Sequence, residues 1–111
     1  AVDTNKKLKE GEMNVVLDNK NIIEISKNID INKADGESVQ LCKFNKLGVD
    51  ILFNESDKII KNNIKNKYFP AYVFKHIINN LSLYALKIGN YPWGEVDYLE
   101  DLLKIKNNRW E

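Results

Sequence analysis

Apolar positions change period about two-fifths of the way along the chain. Met13-Asn14-Val15-Val16-Leu17 reads as a strand, Asp18 to Asn21 as a turn, and Ile22-Ile23-Glu24-Ile25-Ser26 as its partner strand. Asn and Asp between two β-branched runs signal a hairpin, because both tolerate the left-handed backbone of a tight turn. A polar segment from Asn28 to Glu37 follows, with a bend at Asp35-Gly36. Ser38 to Phe44 then alternates with period two and carries apolar residues on both faces, which predicts an internal strand.

Beyond Phe44 the spacing becomes helical. Asn45 is placed as the N-cap of a helix carrying Leu47, Ile51 and Leu52 on one side. The polar cluster Asn54-Glu55-Ser56-Asp57 predicts an interruption before a further helical stretch with Ile59, Ile60 and Ile64. Pro70 suits the first turn of the clearest helix, whose Val73, Phe74, Ile77, Ile78 and Leu81 recur at i, i+3, i+4. Leu83 to Ile88 reads as a strand closed by Gly89-Asn90, with Tyr84 in the core. Trp93 to Val96 reads as a short strand. A last helix from Tyr98 to Asn108 turns Leu99, Leu102 and Leu103 inward. The sum is an α/β layered domain spanning 1–111.

Composition narrows the classes of function. The 17 basic and 16 acidic residues leave a net charge of +1, and Arg109 is the single arginine. A nucleic-acid surface needs a clustered basic excess, and bidentate base or phosphate readout favours Arg, so nucleic acid is not expected as a partner. No apolar run reaches the ~20 residues of a membrane-spanning helix, so no membrane partner is expected. The lone Cys42 cannot pair internally, which fits a reducing, cytoplasmic compartment. It reads as a small buried hydrophobe, and His76 as a solvated helix residue. The start at Ala1 fits a piece of a larger protein or a chain whose leader was removed.

Chemistry concentrates in Trp93-Gly94-Glu95-Val96-Asp97-Tyr98-Leu99-Glu100-Asp101-Leu102. If 93–97 is extended, Glu95 and Asp97 project from one face, since side chains two apart do so. Two such carboxylates suit Mg²⁺, which takes one or two of them together with substrate phosphates. The competing structural role is a capping box, Asp97 with Glu100, worth about 0.5–2 kcal/mol for the cap. Spacing alone leaves both open.

This segment resembles the tryptophan–x–glutamate–x–aspartate–x–x–glutamate–aspartate–leucine signature of small sugar-phosphate and phosphocholine-type nucleotidyltransferases, the cytidylyltransferases. Glu12-Met13-Asn14-Val15 is similar to the start of that family's mid-domain hairpin. Ile22 to Lys27 resembles its following strand with a terminal lysine, and Ala34-Asp35-Gly36-Glu37 with Lys43-Phe44-Asn45 resembles its "glycine-glutamate … phenylalanine-serine" segment. The likeness covers about residues 2 to 103. It implies the second half of a glycosyltransferase-A-like (Rossmann-like) domain, a mixed sheet with flanking helices. The family's Gly-rich nucleotide loop and first metal-binding aspartate have no counterpart in the sequence, so the nucleotide half is expected from elsewhere in the same enzyme or from a partner chain. Gly94 departs from the bulkier residue common at its position.

The resemblance implies that the complete enzyme uses Mg²⁺ to move a nucleotide monophosphate, CMP from CTP in the favoured case, onto phosphocholine, a sugar phosphate or a similar small acceptor, releasing pyrophosphate. Asp97 would be the catalytic metal ligand, joined by Glu95. Lys27 would neutralise the acceptor phosphate as a point cation. Gly36 and Glu37, Tyr68 and Trp93 would contact the acceptor, the aromatic faces offering a choline ammonium ~0.5–2 kcal/mol of cation–π attraction. Tyr72 and Tyr84 are weaker candidates. The alternative reading is a non-catalytic binding or assembly module, completing its sheet with a partner chain or a second copy of itself as a homo-oligomer.

Overall fold

The computed structural model describes residues 1–62 and 69–107. They form a small mixed α and β structure of four strands and three helices: β1 (Val2–Asp3), β2 (Asn14–Asp18), β3 (Asn21–Ser26), β4 (Gly36–Ser38), α1 (Lys46–Lys61), α2 (Phe69–Ile77) and α3 (Leu99–Asn107). The strands make one antiparallel sheet in the order β1-β4-β2-β3. Among the described residues no helix is long and apolar enough to cross a membrane.

The hairpin of β2 and β3 forms as the sequence pattern predicts, with Asn19 at φ 55 in its turn. Its register shifts between Val16 and Leu17. At that irregularity Leu17 N–H is satisfied by the Asp35 carboxylate at 2.8 Å, so the kinked strand keeps its donor paired. Beside it, Gly36 opens β4 against β1. A Cβ there would sit 2.7 Å from Val2 Cγ1 and 2.8 Å from the Asp3 carbonyl oxygen. The glycine is therefore a close-approach residue of the sheet, not a flexible loop position.

One face of the sheet is apolar. Val2, Met13, Val15, Ile22 and Ile25 cluster there, joined by Leu17, Phe74, Leu83 and Ala85. A second cluster of Ile59, Val73 and Ile77 lies between α1 and α2. Phe74 packs against both clusters, so α2 links the sheet to α1. Asn45 caps α1 through its Oδ1, which accepts the Gly48 N–H at 2.8 Å.

Several expectations are corrected. The strand predicted over 38–44 shrinks to β4, because Gln40 adopts φ 61 and its N–H turns back to Ser38 Oγ at 3.1 Å. That break leaves Leu41 and Cys42 exposed. The Asn54–Asp57 cluster does not interrupt α1. Ser56 Oγ donates to the Leu52 carbonyl, and Glu55 and Asp57 pair with Lys58 and Lys61 along the helix. Leu47 is exposed rather than inward, and Ile64 lies outside the described residues.

Residues 83–88 make bridges rather than a strand: Leu83 O accepts Ile22 N–H, Ala85 N–H reaches Lys20 O, and Val2 exchanges bonds with Leu86 and Ile88. Tyr84 points out of the core, 69% exposed. The expected 93–96 strand is irregular. In α3, Leu99 and Leu103 are exposed and no residue is buried, correcting their inward assignment. His76 is half-buried against Tyr72, with ring centroids 4.7 Å apart.

Candidate functional site

The face of the sheet opposite the apolar cluster is built by strand alternation. Val2 and Val15 enter the core, so their neighbours Asp3 and Asn14 project from the other face. Register then sets Glu37 opposite Asp3 on one side and opposite Asn14 on the other. Asp3, Glu37 and Asn14 thus form a polar row across three strands, and all three are buried. The segments 5–12 and 93–101 border this row. Between them lies a cavity of about 180 Å³ lined by Lys6, Lys9, Glu12, Glu37, Trp93, Gly94, Glu95, Asp97 and Asp101.

Each wall has an identifiable anchor. Trp93 Nε1 donates to Asp3 Oδ2 at 2.7 Å. The other Asp3 oxygen accepts the backbone N–H of Asn5 at 2.8 Å and of Lys6 at 3.3 Å. Burial pushes the Asp3 carboxyl up, but the hydrogen bonds from Trp93, Asn5 and Lys6 outweigh it and hold it below the ordinary aspartate value. Lys6 Nζ lies 4.9 Å from the centre of the Trp93 ring and 2.7 Å from Glu37 Oε2. The Lys6 ammonium is thus the charge partner of this buried carboxylate oxygen. Burial pushes the Glu37 carboxyl above the ordinary glutamate value. Lys6 opposes that rise, while Glu12 and Glu95 add to it.

On the loop wall, Gln40 Nε2 donates to Glu95 Oε1. Gly94 passes close to α3, where a Cβ would meet Ile105 Cδ1 at 3.2 Å. The cap of α3 differs from expectation: Asp101, not Asp97 with Glu100, reaches back to the Tyr98 N–H at 3.2 Å. Asp101 also accepts from Lys104, and the ammonium and the Tyr98 N–H hold its carboxyl below the ordinary value.

Of the residues singled out in the sequence, Glu37, Trp93, Glu95 and Asp97 meet around this one cavity. Lys27 does not join them; it lines a separate cavity with Glu10, Gly11, Asn28, Ile29 and Asp30. Gly36 packs against β1, and Tyr68 lies outside the described residues. Cys42 is exposed, yet nearby protein desolvates its thiol and pushes its pKa up, opposite to an activated nucleophile. Sequence reasoning missed Asp3, Lys6, Lys9, Glu12 and Asn14. The apolar-polar alternation of Val2-Asp3 and Asn14-Val15 was a usable signal for two of them.

Five carboxylates against two lysines make the cavity cation-attracting, and its donors are oxygens. Among the described residues, no group of three or more His, Cys, Asp or Glu side chains is arranged to hold a metal ion. Carboxylate oxygens are the donor type that a hard cation such as Mg²⁺ takes. No family model, curated protein or solved structure matches the chain.

Proposed function

We propose that this chain is the acceptor-binding half of a glycosyltransferase-A-like, Mg²⁺-dependent nucleotidyltransferase that forms a cytidylylated product from CTP and a small phosphorylated acceptor, with release of pyrophosphate. The observation carrying this reading is the convergence of Glu37, Trp93, Glu95 and Asp97, named by sequence motif from two distant segments, on one small cavity. Asp97 and Glu95 are the residues that would hold Mg²⁺, which when bound neutralises phosphate charge. Trp93 and Glu37 bind the acceptor, and Asp3 orients Trp93 through its indole N–H. In this reading Lys6 and Lys9 take over the phosphate-neutralising role that the motif assigned to Lys27.

Sheet completion by a partner chain has less support. The outer side of β1 is already bonded through Val2 to Leu86 and Ile88.

The test is turnover of CTP by the full-length protein with Mg²⁺, following pyrophosphate release with phosphocholine, phosphoethanolamine and sugar 1-phosphates as acceptors. Asp97→Asn is expected to lower turnover at least roughly tenfold, the loss of one charge-stabilising group, with an unchanged circular dichroism spectrum. Wild-type rates in that variant would overturn the role of Asp97.

A further inference from the structure

We infer that Lys6 is an exchangeable internal cation: its ammonium fills the acceptor's cation site between Trp93 and Glu37 until a zwitterionic ligand replaces it, after which Lys6 pairs with that ligand's anionic group. The acceptor class rests on the reading above; the exchange rests on the geometry of Lys6.

The site has the two features that recognise an alkylated ammonium, an aromatic face and a carboxylate. The Trp93 ring is held in place by its bond to Asp3, and Lys6 Nζ sits 4.9 Å from its centre. The Glu37 side chain is only 4% exposed, whereas that of Lys6 is 36% exposed. The carboxylate is thus fixed in the sheet, while the lysine reaches it from the solvent side on a flexible stem. Leaving a buried carboxylate charged and without a cation is costly, so departure of Lys6 is favoured when another cation takes its place. Trp93 and Glu37 together supply that replacement with contacts already built.

Charge balance then selects the ligand. A plain ammonium displaces Lys6 from Glu37 and brings no anion for it. A ligand with a phosphate beside its ammonium offers Lys6, and Lys9 at the same cavity, a new partner. Lys6 therefore acts as a specificity determinant: both ligands must displace it, and only the phosphate-bearing one offers it a new partner. A cavity of about 180 Å³ is small beside the roughly 300–1,000 Å³ typical of drug-sized sites, which suits a compact ligand.

The experiment is calorimetric titration of the full-length protein with choline, phosphocholine and inorganic phosphate. Wild type is expected to bind phosphocholine at least roughly tenfold more tightly than choline. In Lys6→Met the internal competitor is gone, so choline binding tightens and the preference falls to about threefold or less. Lys20→Met, in the hairpin turn, is expected to retain the wild-type preference. An unchanged preference in Lys6→Met overturns the exchange. So does inorganic phosphate binding as tightly as phosphocholine.

Should Lys6→Met fail to fold, the wild-type Trp93 indole N–H resonance decides. Phosphocholine should shift it and phosphate alone should not; equal shifts would sink the proposal. Lys6-dependent discrimination without any cytidylyl transfer would overturn the transferase reading and leave the exchange standing. Transfer with a Lys6-independent preference would do the reverse.

Discussion

The sheet and the C-terminal segment, Trp93 to Asn107, are held by different physics. In the sheet, Val15 is 0% and Ile25 4% exposed, and both sit in one apolar cluster contacted by α2. In α3, Leu99 is 67% and Leu103 51% exposed, and its start is organised by the polar contacts of Asp101. Hydrophobic burial therefore fixes the wall that carries Asp3 and Glu37. The wall that carries Glu95 and Asp97 is positioned by a few specific contacts: Trp93 to Asp3, Gln40 to Glu95, and Gly94 against Ile105. The difference teaches where the cavity can adjust. Local opening is easiest where little apolar area is buried, and here that is the loop side.

The comparison can be broken most forcefully in the sheet. Ile25→Ala removes a buried side chain from its core and is expected to cost about 2–5 kcal/mol in chemical unfolding. A cost below about 1 kcal/mol would show that the sheet is not the rigid wall. Gly36→Ala forces a Cβ into Val2 and the Asp3 carbonyl, with an expected penalty of about 1–3 kcal/mol. An unchanged denaturation midpoint would refute the close-approach role.

Asp3→Asn tests the joint between the two regions. It removes a charged acceptor from the Trp93 N–H, at about 1–3 kcal/mol near neutral pH. Because the folded-state pKa of Asp3 is depressed, its contribution is present above the ordinary aspartate value and is lost as pH falls through the folded value. The wild-type advantage should therefore vanish in acid; a pH-independent gap between the two proteins would contradict that linkage. Leu103→Ala is the smallest change, expected within about 0.5 kcal/mol because the side chain is largely solvated. A loss approaching that of Ile25→Ala would mean that α3 is packed like the sheet.

Much of the fold is legible locally. The 13–26 hairpin, the Asn45 cap, the Val73/Ile77 stripe and the existence of the last helix all follow from signals spanning a few residues. The misreadings share a cause. Period two over 38–44 described local alternation, but the backbone turn at Gln40 and its contact with Glu95 prevailed. The polar 54–57 cluster looked like a breaker, yet a solvent-facing helix surface accommodates charges through i, i+3 and i, i+4 pairs. At 93–97 the two carboxylates do share the cavity, but along an irregular segment instead of one strand face.

The sequence by itself determined the hairpin, the helix that links sheet to α1, and the motif that concentrates carboxylates beside Trp93. Those signals are local, since turn chemistry, capping and amphipathic periodicity act over one or two turns of chain. Only the tertiary structure decided that Asp3 meets Trp93 across 90 residues, that Glu37 stands opposite Asp3, and that Lys6 covers the tryptophan ring. Strand register and loop closure set those neighbours, and no spacing along the chain encodes which buried carboxylate a distant lysine reaches.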